Sequence, residues 1–350
     1  VWLARNEPEN FSRIDKVLLP KDYIVYWMTG RKVTEMSDAA GTSWLDVGKR
    51  NWAGELIEKS GMTRSQLPDL VEGTDLVGTL DRKRAAELGL GDNVGIVGGG
   101  ADNAAAACGI GALMDGQGFL SLGTSGVLLA AKDEYAPAPD SAVHTFCHAV
   151  PEKWYQMGVT LSATDSLNWL AANLGQSVNK LATSLTGQTN GPSPVLFLPY
   201  LSGERTPHND SGARAILTGM SHTTDSKVLC QAVMEGVGFA LRDCLEALKS
   251  TGTDLRAVFA IGGGSQSDFW LQTLANTLDM TLHLPQKGDF GAARGAASLA
   301  MVGVSGEPPS SVMVSPQIQR SFVPQPDQIA AYESAYKRYT ETYSALKDIS

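Results

Sequence analysis

Residues 94–131 read VGIVGGGADNAAAACGIGALMDGQGFLSLGTSGVLLAA, and the changes of period along them decide the fold. A short apolar strand, 94–97, runs into Gly98, Gly99 and Gly100, and an alanine-rich helix starts where Asp102 and Asn103 stand. From Gly118 the pattern is that of two apolar strands joined by a tight turn of small residues. A strand that ends in a glycine turn and feeds a helix is the recurring site geometry of α/β proteins, so α/β is the expected class.

Outward from this stretch, residues 1–30 read as two short helices broken near Pro20 and stopped at Gly30, and 52–90 holds further helical pieces. Residues 133–153 read as irregular, 154–159 as a strand, and 162–174 and 227–249 as helices. In 227–249, Val233, Val237, Leu241, Cys244, Leu245 and Leu248 recur at intervals of three and four and make one apolar face. A strand at 258–261 leads into GGGSQS, 262–267, and then an amphipathic helix with Phe269, Trp270, Leu274 and Leu278. Residues 305–316 read as a loop. A final helix carries Ile329, Tyr332, Tyr336, Tyr339, Tyr343 and Leu346 on one stripe, expected to pack on the second domain. At 350 residues the chain fits two domains, with a boundary near 111–118 that divides it into 1–114 and 115–350.

Hydrophobic residues at 43% and charged residues at 19% are the balance of a folded globular protein. A net charge of −9 without any Lys/Arg run argues against nucleic-acid or anionic-membrane partners. No apolar run reaches the roughly 18 residues of a membrane span. Cys108, Cys147, Cys230 and Cys244 lack CxxC spacing and read as buried free thiols of a cytoplasmic protein, which leaves the sequons at Asn10 and Asn209 without meaning. The five histidines lack zinc spacing, so no metal ligand is assigned. There is no GxxxxGK[ST] and no GxGxxG, and the DFG at 289–291 reads as chance.

Three glycine-rich turns carry the chemistry. In the first, Asp102 stands at the start of a helix below three glycines, either as a reacting carboxylate at a cleft floor or as a plain helix cap. The second, SLGTSG at 121–126, curls backbone N–H groups and two hydroxyls around a space suited to phosphate, or is a simple hairpin turn. GGGSQS, the third, lets a ligand approach a helix N-terminus, or is a terminus capped by Ser265. Three anion-compatible turns in one chain suggest a nucleotide with its phosphates.

In this order the three turns resemble those of the FGGY family of carbohydrate kinases. KVLLPKDYIVYWMTG (16–30), SDAAGTSWLDV (37–47), SAVHTFCHAV (141–150) and FLPYLSGERTPHND (197–210) are similar to its xylulokinase branch. The resemblance implies a two-domain actin-like (ribonuclease H-like) ATPase fold with a cleft, and ATP-dependent phosphorylation of D-xylulose to D-xylulose 5-phosphate, with ATP and Mg²⁺. It makes Asp102 the catalytic base and Asn103 its neighbour at the sugar. It assigns Gly123, Thr124 and Ser125 to the phosphates, and Gly262, Gly263, Gly264 and Ser267 to the adenosine. Ala101 departs from the glycine the family often has there. The family's opening DxGT hairpin and Met-His sugar contact do not occur, and the chain starts at Val1. The first domain is therefore expected to be incomplete and these 350 residues inactive alone. A kinase of another ketose or polyol, or a non-catalytic sugar- or nucleotide-binding fragment, is the competing reading, and a homodimer is a possible assembly.

Overall fold

The structure is a computed structural model that describes residues 1–187, 191–286 and 291–347; Asp289 and Phe290 of the DFG string lie outside them. The opening forms three helical pieces, Trp2–Asn6, Pro8–Ser12 and Pro20–Thr29, where two were expected. Pro20 does not break a helix. It stands in the first turn of one, where its missing N–H costs nothing, while the Asp22 carboxylate accepts the Leu19 N–H at 3.0 Å. Gly30 stops that helix in the left-handed conformation, as expected.

Up to residue 101 the strands pair only in twos. Val33–Glu35 runs parallel to Asp69–Val71, and Leu76–Thr79 antiparallel to Gly95–Val97. Helix α1, Asp102–Ile110, follows and ends at Gly111. A seven-stranded sheet then begins with β1 (Gly118–Leu122) and β2 (Gly126–Lys132), and continues with β3 (His144–Cys147) and β4 (Trp154–Thr160). After helices α2 (Thr164–Asn173) and α3 (Ser226–Lys249) come β5 (Ala257–Ile261), α4 (Asp268–Leu278), β6 (Thr281–Pro285), α5 (Ala292–Ser305), β7 (Ile318–Phe322) and α6 (Pro326–Leu346). The spatial order is β7-β6-β5-β1-β2-β4-β3, with β5 parallel to both β1 and β6 and every other pair antiparallel.

Further stretches depart from the expected pattern: 52–90, read as helical pieces, also holds the strands Asp69–Val71 and Leu76–Thr79. β3 lies inside 133–153; it is a four-residue edge strand paired on one side only, so it lacks the unbroken apolar run that marked its neighbours. The loop at 305–316 contains one helical turn, Pro309–Val312.

The central strands are covered on both faces, which is why FLSL and GVLLAA read as nearly continuous apolar runs. Leu120, Leu122, Leu128 and Ala130 pack with Val237, Leu241 and Leu245 of α3 on one face. Phe119, Leu129, Tyr155 and Met157 pack with Ala104, Ala107 and Ile110 of α1 and Leu299 of α5 on the other. This second cluster runs continuously across residue 114. The alanine-rich composition of α1 follows from the approach of α5: a Cβ on Gly295 would come within 1.6 Å of the Ala105 carbonyl oxygen. The last helix, α6, packs on α3 and α4 through Tyr332 and Tyr339, against Phe239 and Tyr200. All four cysteines are buried free thiols, and burial pushes those of Cys147 and Cys230 up to about 12. Among the described residues no helix is long and apolar enough to cross a membrane.

Candidate active site

Because β1 and β5 are parallel neighbours, with Ile261 opposite Ser121, the two glycine turns that follow them emerge side by side. Gly262 is left-handed (φ +88°), and a Cβ there would stand 2.8 Å from the Leu122 carbonyl oxygen; one on Gly264 would meet the Leu122 Cβ at the same distance. Only glycine permits this contact between the turns. At the hairpin tip, the Gly123 carbonyl accepts the Thr164 N–H (3.0 Å) and hydroxyl (2.8 Å), and the Thr124 carbonyl accepts the Ala163 N–H at 2.8 Å. The first turn of α2 thus takes up the tip's carbonyls, and the side chains of Thr124 and Ser125 are exposed.

Beside these turns lies a cavity of about 800 Å³, lined by Gly263, Gly264 and Ser267 of the turn, Thr164 of α2, and Val178 and Phe269. That volume suits a nucleoside-sized ligand. Gly263 has open space where a Cβ would be. Gly262 instead packs on Leu122. Residues 263–266 form a 3-10 turn that moves the start of α4 onward, so Ser267 caps it by accepting the Trp270 N–H at 3.3 Å. Ser265, the expected cap, donates its hydroxyl to the Gly262 carbonyl at 2.7 Å.

Asp102 is the first residue of α1 and is exposed; the N-cap position belongs to Ala101. Its Oδ1 accepts the Asn103 N–H at 2.6 Å and the Asn103 side-chain amide at 3.1 Å. The carboxylate therefore does not serve as the helix cap, and the first turn of α1 favours a negative charge where it stands. Ala101 has φ −58°, so its methyl group is accepted without strain.

The loop before Asp102 is held from below. The Gly98 N–H donates to the Asp75 carbonyl (3.1 Å), the Gly99 N–H to that of Gly73 (2.9 Å), and the Ala101 N–H to the Ser37 hydroxyl (3.0 Å). Ser37 belongs to a polar layer that the chemical reading of the sequence did not single out: Lys21, Asp22, Glu35 and Asp38. Lys21 Nζ lies 2.8 Å from Asp22 and 3.8 Å from Glu35. Burial raises the carboxyl of Glu35, and likewise that of Asp38, which also feels Lys21, Asp22 and Asp102. The strings at 16–30 and 37–47 contain most of these residues, but nothing in their spacing joins them to a loop sixty residues on. The site thus has two parts: the hairpin, turn and cavity meet at the ends of β1 and β5, whereas Asp102 and Asn103 stand with the acidic layer on α1, which packs against β1 and β2. Among the described residues no three His, Cys, Asp or Glu side chains cluster to hold a metal ion.

The chain is similar in sequence and fold to known proteins. Residues 1–109 match the N-terminal domain of the FGGY family of carbohydrate kinases and residues 118–304 its C-terminal domain. The chain is 42% identical over 349 residues to the xylulose kinase of Escherichia coli K12, covering 99% of this chain and 72% of that protein. It is 41% identical to the xylulose kinase of Klebsiella pneumoniae, covering 100% and 72%. Among solved structures, a "xyloylose kinase" from Brucella ovis superposes with a TM-score of 0.97 at 48% identity, over 100% of this chain and 72% of that one. A ligand-bound xylulose kinase and a gluconate kinase, both from Lactobacillus acidophilus, follow with TM-scores of 0.90 and 0.89 at 26% identity, each over 99% of this chain and 71% and 70% of theirs. The chain therefore belongs to the FGGY family of carbohydrate kinases and has their actin-like ATPase fold.

Proposed function

We propose that this carbohydrate kinase transfers the γ-phosphoryl group of ATP to D-xylulose, giving D-xylulose 5-phosphate and ADP. The observation that carries the reading is the pairing of β1 with β5, which sets a phosphate-sized turn of small residues against a nucleoside-sized cavity. The choice of ketose rests on identity above 40% to two xylulose kinases. The gluconate kinase, at 26%, is no nearer than the Lactobacillus xylulose kinase and does not displace that choice.

In this mechanism the cavity takes the adenosine, with Gly263, Gly264 and Ser267 against it. Thr124, Ser125 and the backbone at Gly123 hold the phosphates. Gly262 contributes by letting the turn close on Leu122. Asp102 accepts the proton of the sugar's terminal hydroxyl as that oxygen attacks the γ-phosphorus in line. The new P–O bond forms as the bond to the β–γ bridging oxygen breaks, and ADP leaves. Asn103 orients Asp102 and borders the sugar. Positioning and charge neutralisation supply most of the acceleration in phosphoryl transfer, and the phosphate turn and one well-placed base are the parts of that machinery these residues contribute. Mg²⁺ would neutralise the phosphates of ATP when bound; among the described residues no three His, Cys, Asp or Glu side chains cluster to hold it. Closure of the region before Asp102 onto the nucleotide side, 1–114 onto 115–350 in the expected division, would exclude water. Four buried free thiols suit a cytoplasmic enzyme.

A panel of D-xylulose, other pentuloses, gluconate and glycerol, read by coupled ADP release, tests the substrate. D-xylulose should give the highest kcat/KM. A preference for gluconate or a polyol would transfer the chain to another branch of the family.

A further inference from the structure

We infer that Ser37 is a positioning residue for phosphoryl transfer: anchored by Glu35, its hydroxyl fixes the backbone of Ala101 and so sets where the Asp102 carboxylate stands. The inference rests on the reading of Asp102 as the base.

The chain of contacts is short. Glu35 Oε2 accepts the Ser37 hydroxyl at 2.7 Å and the Ser37 N–H at 2.7 Å, and Oε1 accepts the Asp38 N–H at 2.8 Å. The hydroxyl proton is thereby committed to Glu35, which leaves the Ser37 oxygen free to accept the Ala101 N–H at 3.0 Å. Ala101 immediately precedes Asp102; its carbonyl accepts the Ala105 N–H at 2.7 Å, but it has no side chain to cap the start of α1. Both anchor residues are buried, Glu35 at 0% exposure and Ser37 at 1%.

The chemistry of the anchor argues for more than structure. A buried carboxylate is expensive to keep, and its nearest cation, Lys21, sits at 3.8 Å and closer to Asp22. The four-residue helix that Glu35 caps, Met36–Ala39, gains little that an exposed serine cap would not give. What the buried carboxylate does provide is a hydroxyl with a fixed orientation, aimed at the backbone of the base from a segment more than sixty residues away. A displacement of the reacting group by an ångström costs on the order of a hundredfold in rate.

The test is a double-mutant cycle in the intact enzyme with ATP and D-xylulose, with folding checked by circular dichroism. Ser37→Ala should lower kcat by roughly ten- to a hundredfold and leave KM for ATP within about twofold. Its loss should disappear in an Asp102→Asn background, because there is then no base to misplace. If Asp102→Asn collapses kcat but Ser37→Ala costs the same factor in both backgrounds, Ser37 is merely structural and the inference is overturned. If Asp102→Asn itself leaves kcat nearly unchanged, the base reading falls first, a separate and recognisable failure. Ser37→Cys carries the same cycle if the alanine variant does not fold. The thiol is a weaker acceptor of similar size, so its kcat should lie between serine and alanine; a value equal to wild type would also overturn the proposal.

Discussion

Residues 1–101 and residues 118–347 are held together in different ways. The second region has one sheet of seven strands with helices on both faces and an apolar cluster continuous from Leu120 to Leu282. The first pairs its strands only in twos and buries small groups such as Val25, Val33 and Val77, or Ile57, Met62 and Leu67. Polar bonds do much of its fastening. The Arg50 guanidinium meets both oxygens of Glu72, at 3.3 and 2.6 Å, and also donates at 2.8 Å to the carbonyl of Lys153, the residue before β4. On the helix Pro20–Thr29, Tyr23 and Ile24 are more than half exposed. The contrast separates two tasks. The nucleotide turns are carried by a scaffold with its own deep core, whereas the carboxylate of Asp102 is aimed by hydrogen bonds from a region that lacks one.

The strongest way to test that division is at the residue where the halves meet. Asp102→Asn keeps the size of the side chain and its place in the first turn of α1, so a structural role predicts almost unchanged turnover. A general base predicts a loss in kcat on the order of 10² to 10⁴ with the fold intact. The dissociative character of the transfer favours the lower end. Steady-state kinetics at saturating ATP and ketose decide it, and retention of more than about a tenth of the rate would remove Asp102 from the mechanism.

Next in size is the difference in the cores themselves. Leu241→Ala, at the centre of α3 with no exposure, should destabilise by about 2–5 kcal/mol. Val33→Ala, in the small cluster, should cost only about 1–2 kcal/mol, two methyl groups at ~0.8 each. Hydrogen exchange should show the same order, with amides of α3 protected to the global limit and those of Val33–Glu35 and Asp69–Val71 opening sooner. Equal protection in both regions would mean that the first is as deeply held as the second.

Legibility followed the same division. Strands β1, β2, β4 and β5 and helices α3, α4 and α6 were readable because a two-sided core imposes long apolar runs or clean stripes. β3 was not, because an edge strand of four residues need not show either. The glycine turns were visible as turns; their adjacency was not, since it depends on the parallel pairing of residues 140 positions apart. Asp102 was found from its motif. Glu35 and Ser37 were not, because an isolated glutamate or serine carries no signal until folding brings it under Ala101.

The nucleotide half offers a more local test. At Gly263 a Cβ would meet nothing within 4 Å, and the backbone is in an ordinary region. Gly263→Val therefore fits the fold but projects into the cavity beside the turn. ATP affinity should fall by roughly tenfold or more, since each 1.4 kcal/mol of lost contact or clash is a factor of ten, while sugar affinity holds. Calorimetry that finds equal losses for both ligands would remove the adenosine assignment from this turn.

The smallest effect expected lies where α6 closes on α3. Burial lifts the carboxyl of Glu235 to about 7, even though Gln231, the Ser193 N–H and Tyr332 all donate to it and Arg338 favours its charged form. Burial likewise lifts Asp243 to about 7, against the 2.6 Å hydrogen bond from Tyr336 and the charge of Arg242, with Glu204 and Glu246 adding to the rise. His208, 3.7 Å from Asp243, cannot compensate, because burial lowers its imidazole to about 4. Both acids hold their protons more tightly folded than unfolded. Their contribution to stability is therefore complete below the ordinary carboxylate range and is lost as pH rises through about 7. Between pH 6 and 8 each should cost the fold on the order of 1 kcal/mol. Thermal unfolding across that interval should show Tm falling with pH. Glu235→Gln and Asp243→Asn, which cannot ionise, should each flatten the slope, and Val33→Ala in the first region should leave it unchanged. A slope that survives both amide substitutions would mean that these carboxyls do not carry the pH dependence and that the clasp of α6 on α3 rests on its tyrosines alone.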